Sequence, residues 1–265
     1  MEPLEFDYVI VGGGVAGCIL ANRLSADPAV RVLLLEAGGR DSSPLIAAPG
    51  GLLPIMMSGA HAWPYLSAPQ QHLDGRVLYL PRGKVLGGGS SINGMAYDRG
   101  FASDYDRWAQ AGNRGWSFAE VLPYFRRLEN FAPARNAWHG ADGPIQVTRA
   151  SQDHPFARAF VQAGQQAGYP LSDDLSGASR DGFGAVDLTV GGGRRSSAAS
   201  AYLRPVRKRA NLAVMTGALT HRLTFDGARA TGVVFATQGA LRSARATREV
   251  ILSAGAINTP QLLML

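Results

Sequence analysis

The sequence predicts an α/β fold that opens on a β-α-β unit, and three observations carry that expectation. An apolar strand-like run, Tyr8 to Val11, is followed by a glycine turn, a helix-spaced segment and a second apolar run, Val32 to Leu35. Two helical patterns and then several strand-like runs follow downstream, and a short apolar strand, Glu249 to Leu252, comes near the end. With 265 residues, 46% hydrophobic and 17% charged, the chain has material for one large domain or two smaller ones.

The elements follow in order. Gly12 to Gly14 interrupt the first strand, Ala16 to Leu24 carry helical spacing, and Val32 to Leu35 close a compact β-α-β unit over residues 1–37. From Gly38 to Pro81 the chain is rich in Pro, Gly and Ser with little periodicity, and reads as long surface loops without regular elements. Ser117, Glu120 and the apolar positions Val121, Leu122, Tyr124, Phe125 and Leu128 predict a capped amphipathic helix. A second helix is expected from about Pro155 to Ala167, with Asp153 as its cap. Strand-like runs at about 183–190, 212–215, 219–225 and 231–236, with Asp226-Gly227 as a hairpin turn, make about 150–245 a mixed α/β insertion. Pro260 is placed to open a last helix. There is no internal repeat and no heptad run.

Composition narrows the function classes. No stretch approaches the length of a membrane span, and MEPLEFDYVI carries three acids and no basic leader. No integral membrane segment or signal peptide is expected, and a reducing cytoplasm is the expected location. The single cysteine, Cys18, lies in an apolar helical stretch that suits a buried thiol. Only Lys84 and Lys208 are lysine among 26 basic residues, so the net charge of +6 rests on arginine. Without a nucleic-acid motif that balance reads as composition bias, no nucleic-acid partner is expected, and the Arg204 to Arg209 cluster is placed on a solvated face.

The segment VIVGGGVAG sets Gly12, Gly14 and Gly17 in G-x-G-x-x-G spacing between a strand and a helix. The first glycine allows a tight turn, the second admits a pyrophosphate, and the third lets helix pack on strand. Ala16 lies at the helix N-terminus, whose free amides favour phosphate. Glu36, with Ala37 beside it, sits where a carboxylate accepts from ribose hydroxyls. FAD and NAD both satisfy this much.

A second motif, PRGKVLGGGSSINGMAYDRG from Pro81 to Gly100, resembles the first signature of the glucose-methanol-choline (GMC) oxidoreductases, through Gly83, Lys84, Gly87, Gly88, Ser90, Ser91, Ile92, Asn93, Tyr97 and Gly100 to Asp106. GAINTPQLLML, from Gly255 to Leu265, is similar to the start of that family's second signature. The Trp63 region, the Gln70 to Arg76 turn and the run from Gly115 to Phe125 resemble the choline and alcohol dehydrogenase branch. The resemblance covers the whole chain but only the N-terminal half of a typical member.

What the resemblance implies is a Rossmann-like FAD-binding region over 1–265, with a flavin-contacting signature at 81–106 and a return strand and second signature at 249–265. Arg82, Gly83, Val85, Gly87 and Gly88 would let backbone approach the flavin. Amides near Asn93, Gly94, Met95 and Ala96 would face its polar edge, and Ser91 could add a contact; fixed N–H dipoles stabilise a ring that gains negative charge. A main-chain contact near Thr220 would reach the adenine, where the family often has valine. Gly89 departs from a common serine.

The implied activity is oxidation of a primary alcohol or choline-like substrate to the aldehyde, with hydride passing to flavin and electrons to a quinone or oxygen. The catalytic histidine of such proteins lies in a C-terminal portion. None of His61, His72, His139, His154 and His221 falls in that motif, so each reads as a surface or packing residue and no catalytic residue is assigned. The chain is therefore expected to be a truncated piece of an enzyme, or a flavin-binding remnant without turnover. An NAD-dependent dehydrogenase would leave the Pro81 to Gly100 run unexplained.

Overall fold

The computed structural model describes residues 3–133 and 135–265; Met1 and Glu2, the first positions of the expected 1–37 unit, lie outside them. The chain divides into two compact units, Met1–Gly94 with Ser197–Leu265, and Met95–Ser196.

The first unit opens with β1 (Leu4–Val11), α1 (Val15–Leu24) and β2 (Val32–Glu36). All of β2 is buried, because a parallel strand in a sheet interior needs apolar side chains on both faces. Strand β1 begins earlier than its apolar core, since Leu4, Glu5 and Phe6 pair with Ala244, Arg245 and Ala246 far along the chain. Next come α2 (Pro44–Ala47), α3 (Leu52–Ser58) and two short paired strands, β3 (Ala62–Trp63) and β4 (Arg82–Gly83). These elements correct the reading of residues 38–81 as loop alone. Ile46 and Ile55 bury against Val85, one anchor per helix, too sparse for a periodic signal.

The second unit holds β5 (Ala96–Tyr97), α4 (Ala102–Gln110), α5 (Phe118–Leu128), β6 (Glu129–Phe131), β7 (Ile145–Arg149), α6 (Pro155–Gln166) and β8 (Asp187–Leu188). The hairpin of β9 (Val190–Gly191) and β10 (Arg194–Arg195) follows. Its four-stranded sheet runs β5-β8-β7-β6. Helix α5 starts where Ser117 predicts, with the Ser117 amide and hydroxyl donating to Glu120 at 3.1 and 2.6 Å. The cap of α6 is His154, whose Nδ1 accepts from the Phe156 amide at 3.2 Å. Asp153 was expected there. Pro155 takes the first helical position, which moves the cap to the residue before it, while Asp153 accepts from the Ser151 hydroxyl.

The chain then returns to the first unit with β11 (Leu212–Thr216), β12 (Ala218–Asp226), β13 (Arg229–Thr237), β14 (Ala240–Leu252) and α7 (Gly255–Met264). The six-stranded sheet runs β11-β2-β1-β14-β13-β12. Its first four strands are parallel and its last two antiparallel. Val9, Val11, Leu33, Leu35, Val233 and Phe235 form its core, with Leu262 of α7. The division of the molecule thus falls at Ser196/Ser197 and runs through the expected 150–245 insertion, because strands 212–237 pair into the large sheet.

Three local expectations change. Strand β14 is far longer than Glu249–Leu252, since its first half pairs with β13, with Arg245 and Arg248 exposed along it. Helix α7 starts at Gly255 with Pro260 inside it, at the cost of one helical hydrogen bond. The Arg204 to Arg209 cluster is only partly solvated: Arg204 pairs with Asp41 at 2.9 Å, and Arg209 donates to the Asn22 carbonyl and the Ser25 hydroxyl.

Candidate functional site

A cleft of about 1350 Å³ opens in the first unit. Val11, Leu35, Glu36 and Leu252, at the carboxyl ends of three adjacent parallel strands, form its floor, the usual ligand position in open α/β sheets. It exceeds the roughly 300–1,000 Å³ typical of pockets for drug-sized ligands. A two-part ligand suits that volume.

The glycine turn builds one wall. A Cβ on Gly17 would lie 1.9 Å from the Gly12 carbonyl oxygen, so only glycine lets α1 pack this close. No side chain caps α1 and its first turn carries no acid, which leaves its N-terminal amides and positive dipole end to a ligand. Glu36 is buried, and its two oxygens accept from the Gly13 and Gly38 amides at 2.8 and 2.7 Å. Each carboxylate oxygen keeps a further lone pair for a ribose hydroxyl. Burial nevertheless pushes the Glu36 carboxyl above the ordinary 4.5, against the two amides and Lys84.

The second motif forms the adjoining wall. Gly88 has φ +52°, and its added Cβ would sit 2.9 Å from the Gly14 Cα, so the two glycine segments touch backbone to backbone. Of the residues singled out from sequence, Gly12, Gly14, Ala16, Glu36, Ala37, Arg82, Gly83, Gly88, Asn93, Gly94 and Thr220 line this one cleft. Others support it from behind. Gly17 packs on Gly12, Val85 is fully buried, the Gly87 amide donates to the Gly13 carbonyl at 2.7 Å, and the buried Ser91 hydroxyl donates to the Leu86 carbonyl at 2.7 Å. Met95 and Ala96 fall in the other unit.

Sequence reasoning left several lining residues unassigned. Ser253 to Asn258 close the cleft at the start of α7, where the second signature was recognised without residue roles. Trp63 and Tyr65 stack 5.7 Å apart, the Lys84 ammonium lies 4.3 Å over Trp63, and the Tyr65 hydroxyl donates to Asn258 Oδ1. His221, read as surface or packing, lines the cleft beside Thr220. The Thr220 hydroxyl is buried without a hydrogen-bond partner.

In the second unit His139 is fully buried, with Nδ1 3.1 Å from Glu129 Oε1 and Nε2 3.0 Å from Asp174 Oδ2. Phe131 stacks on the ring at 3.8 Å, and Arg99 Nη2 donates to Glu129 at 2.6 Å. Burial would raise the Glu129 carboxyl, yet His139, Arg99 and the Gly140 amide together hold it below the ordinary range. His139 pairs with carboxylates remote in sequence, which its proximity to Asp142 does not disclose.

A glycine-loop β-α-β unit, a buried acid closing the second strand and a long cleft at the strand ends define a dinucleotide-binding α/β domain. The family model described as GMC oxidoreductase matches residues 6–265, and the chain belongs to that family. It is 49% identical over 268 residues to mitochondrial choline dehydrogenase of Homo sapiens, covering 98% of this chain and 45% of that protein. With oxygen-dependent choline dehydrogenase of Sinorhizobium fredii the identity is 46% over 262 residues, covering 99% and 48%. Pyridoxine 4-oxidase from Mesorbium loti matches with a TM-score of 0.92 at 36% identity, covering 98% of this chain and 51% of that one. Formate oxidase from Aspergillus oryzae matches at 0.89 and 30% identity, covering 100% and 48%. The chain spans about half the length of the relatives it matches. Among the described residues, no helix is long and apolar enough to cross a membrane.

Proposed function

We propose that this chain holds FAD for an oxidoreductase acting on CH–OH donors, a primary alcohol or choline-like substrate leaving as the aldehyde. The observation that carries the reading is the meeting of two glycine motifs, Gly12 to Gly17 and Gly83 to Gly94, in one cleft, where Gly88 packs on Gly14 and the Gly87 amide donates to the Gly13 carbonyl. The residues present fit the group. The α1 N-terminus and Gly14 face a pyrophosphate, Glu36 accepts from ribose hydroxyls, and Ala37 and the main chain at Thr220 border the adenine. The Gly217 amide bonds the Gly38 carbonyl at 2.8 Å, which sets the start of β12 beside the ribose acid.

At the other end Gly83, Gly88, Asn93 and Gly94 present backbone and one amide side chain to the ring, with Val85, Gly87 and Ser91 fixing that loop from beneath. Arg82 adds a positive charge at the rim. Bound FAD supplies hydride acceptance from the alcohol carbon and onward electron transfer to a quinone or oxygen. No catalytic base is assigned to this chain; its own residues bind, orient and exclude water. The reading places it in a reducing cytoplasm, where the buried Cys18 stays a thiol, and gives it no nucleic-acid partner.

The visible spectrum of the purified chain, titrated with FAD and with NAD, tests this. Flavin absorbance that follows the protein at one per chain is the expected result, and binding of NAD with no flavin would overturn it. Anaerobic addition of choline or primary alcohols then separates a turning-over site, whose absorbance bleaches, from a flavin-holding domain, whose absorbance stays.

A further inference from the structure

Within the unit Met95–Ser196 a second cavity, of about 310 Å³, opens at the start of α4. Its walls carry Arg99, Ser176 and Arg180 together with the aromatic side chains of Phe101, Phe118 and Trp138. Arg99 and Ser176 are only 5% and 3% exposed, yet Arg99 Nε and Ser176 Oγ have no hydrogen-bond partner. The same holds for Nε and Nη1 of Arg180.

The guanidinium groups are otherwise fixed. Arg99 donates through Nη2 to Glu129 and through Nη1 to the Trp138 carbonyl at 2.8 Å. Arg180 pairs through Nη2 with Asp98 and lies 4.8 Å over the Phe101 ring. Each therefore keeps one edge unspent. Guanidinium nitrogens only donate and a hydroxyl can donate, so these four atoms call for an acceptor. Ala102 and Ser103, in the first turn of the nine-residue helix α4, also line the cavity, while Asp104 of the same turn accepts from the Phe101 amide at 2.9 Å. Asp181 is the one acid in the wall, which limits the site to a ligand of low charge.

We propose that this cavity binds a small monocarboxylate with an aromatic or apolar body. Its carboxylate faces Arg99, Arg180 and Ser176, and its body packs on Phe118 and Trp138. A volume near 300 Å³ lies at the small end of ligand pockets, which fits a single ring and excludes a dinucleotide. The site shares no residue with the flavin cleft and stands whether or not that reading does.

The test is calorimetric titration of the 265-residue chain, with and without FAD, using benzoate and its uncharged isostere benzamide. Benzoate is expected to bind one per chain and about tenfold or more tighter than benzamide, since hydrogen bonds to a charged acceptor are roughly twice as strong as neutral ones. Ser176→Ala and Arg180→Met each weaken benzoate about tenfold, with the thermal midpoint and flavin binding as controls for folding. Absence of saturable heat at millimolar benzoate, equal affinity for benzamide, or benzoate binding that ignores both substitutions overturns the proposal. Loss of flavin binding with benzoate binding intact refutes only the flavin reading.

Discussion

Gly17 shows how little tolerance the glycine turn has. Its missing Cβ would meet a backbone carbonyl at 1.9 Å, a clash that no side-chain rotation relieves. Gly17→Ala is expected to destabilise the fold by about 1–3 kcal/mol or more and to abolish flavin absorbance in the purified protein. Glu129 carries a different prediction. A carboxyl depressed in the folded state adds stability above its unfolded value, here the ordinary 4.5, and loses it as pH falls through the folded value. Glu129→Gln should therefore cost about 3–5 kcal/mol at neutral pH and flatten the acid limb of a melting-temperature profile. Glu36 works in the opposite sense: its raised carboxyl favours the fold in acid and loses that contribution as pH rises through the folded value. Its ionised form is the one that accepts from ribose, so flavin affinity should drop as acid protonates it. At Cys18 burial pushes the thiol up to about 12, and a thiol reagent should react with it only after unfolding.

Among the elements, helix α5 and the β1-α1-β2 unit were readable because their signals are local. Ser117 and Glu120 lie three residues apart on one turn, and Ser117→Ala should cost about 1 kcal/mol, read from the denaturation midpoint. The two glycine motifs were readable for the same reason, since backbone contact demands small residues in sequence order. Strand β14 was not, because Arg242, Arg245 and Arg248 interrupt its apolar pattern and its partners β1 and β13 supply the reason for it to be extended. Helix α3 hid behind a single buried isoleucine, and the His154 cap behind a better cap former next door. The lining by Trp63, Tyr65 and His221 depends on where the β3-β4 pair and β12 fold over the strand ends, which no spacing rule encodes. The pairing of His139 with Asp174 spans 35 positions and is likewise tertiary.

For the whole molecule, ligand linkage and exchange give the measurable consequences. FAD at a hundredfold excess over its dissociation constant should raise stability by about 2.7 kcal/mol, seen as a higher melting temperature for the large sheet. Amide hydrogen exchange should be slowest in β2 and in Tyr8–Val11 of β1, whose backbone is paired on both sides. That sheet has a further consequence, for synthesis on the ribosome. The Ser253 hydroxyl donates to the Val11 carbonyl across 242 positions of chain, so β1 emerges long before its neighbour β14. At roughly 5–20 residues per second, β1 waits on the order of ten seconds or more with one apolar edge unpaired, while the whole Met95–Ser196 unit is made in between. That waiting strand is where a nascent-chain chaperone would be needed most.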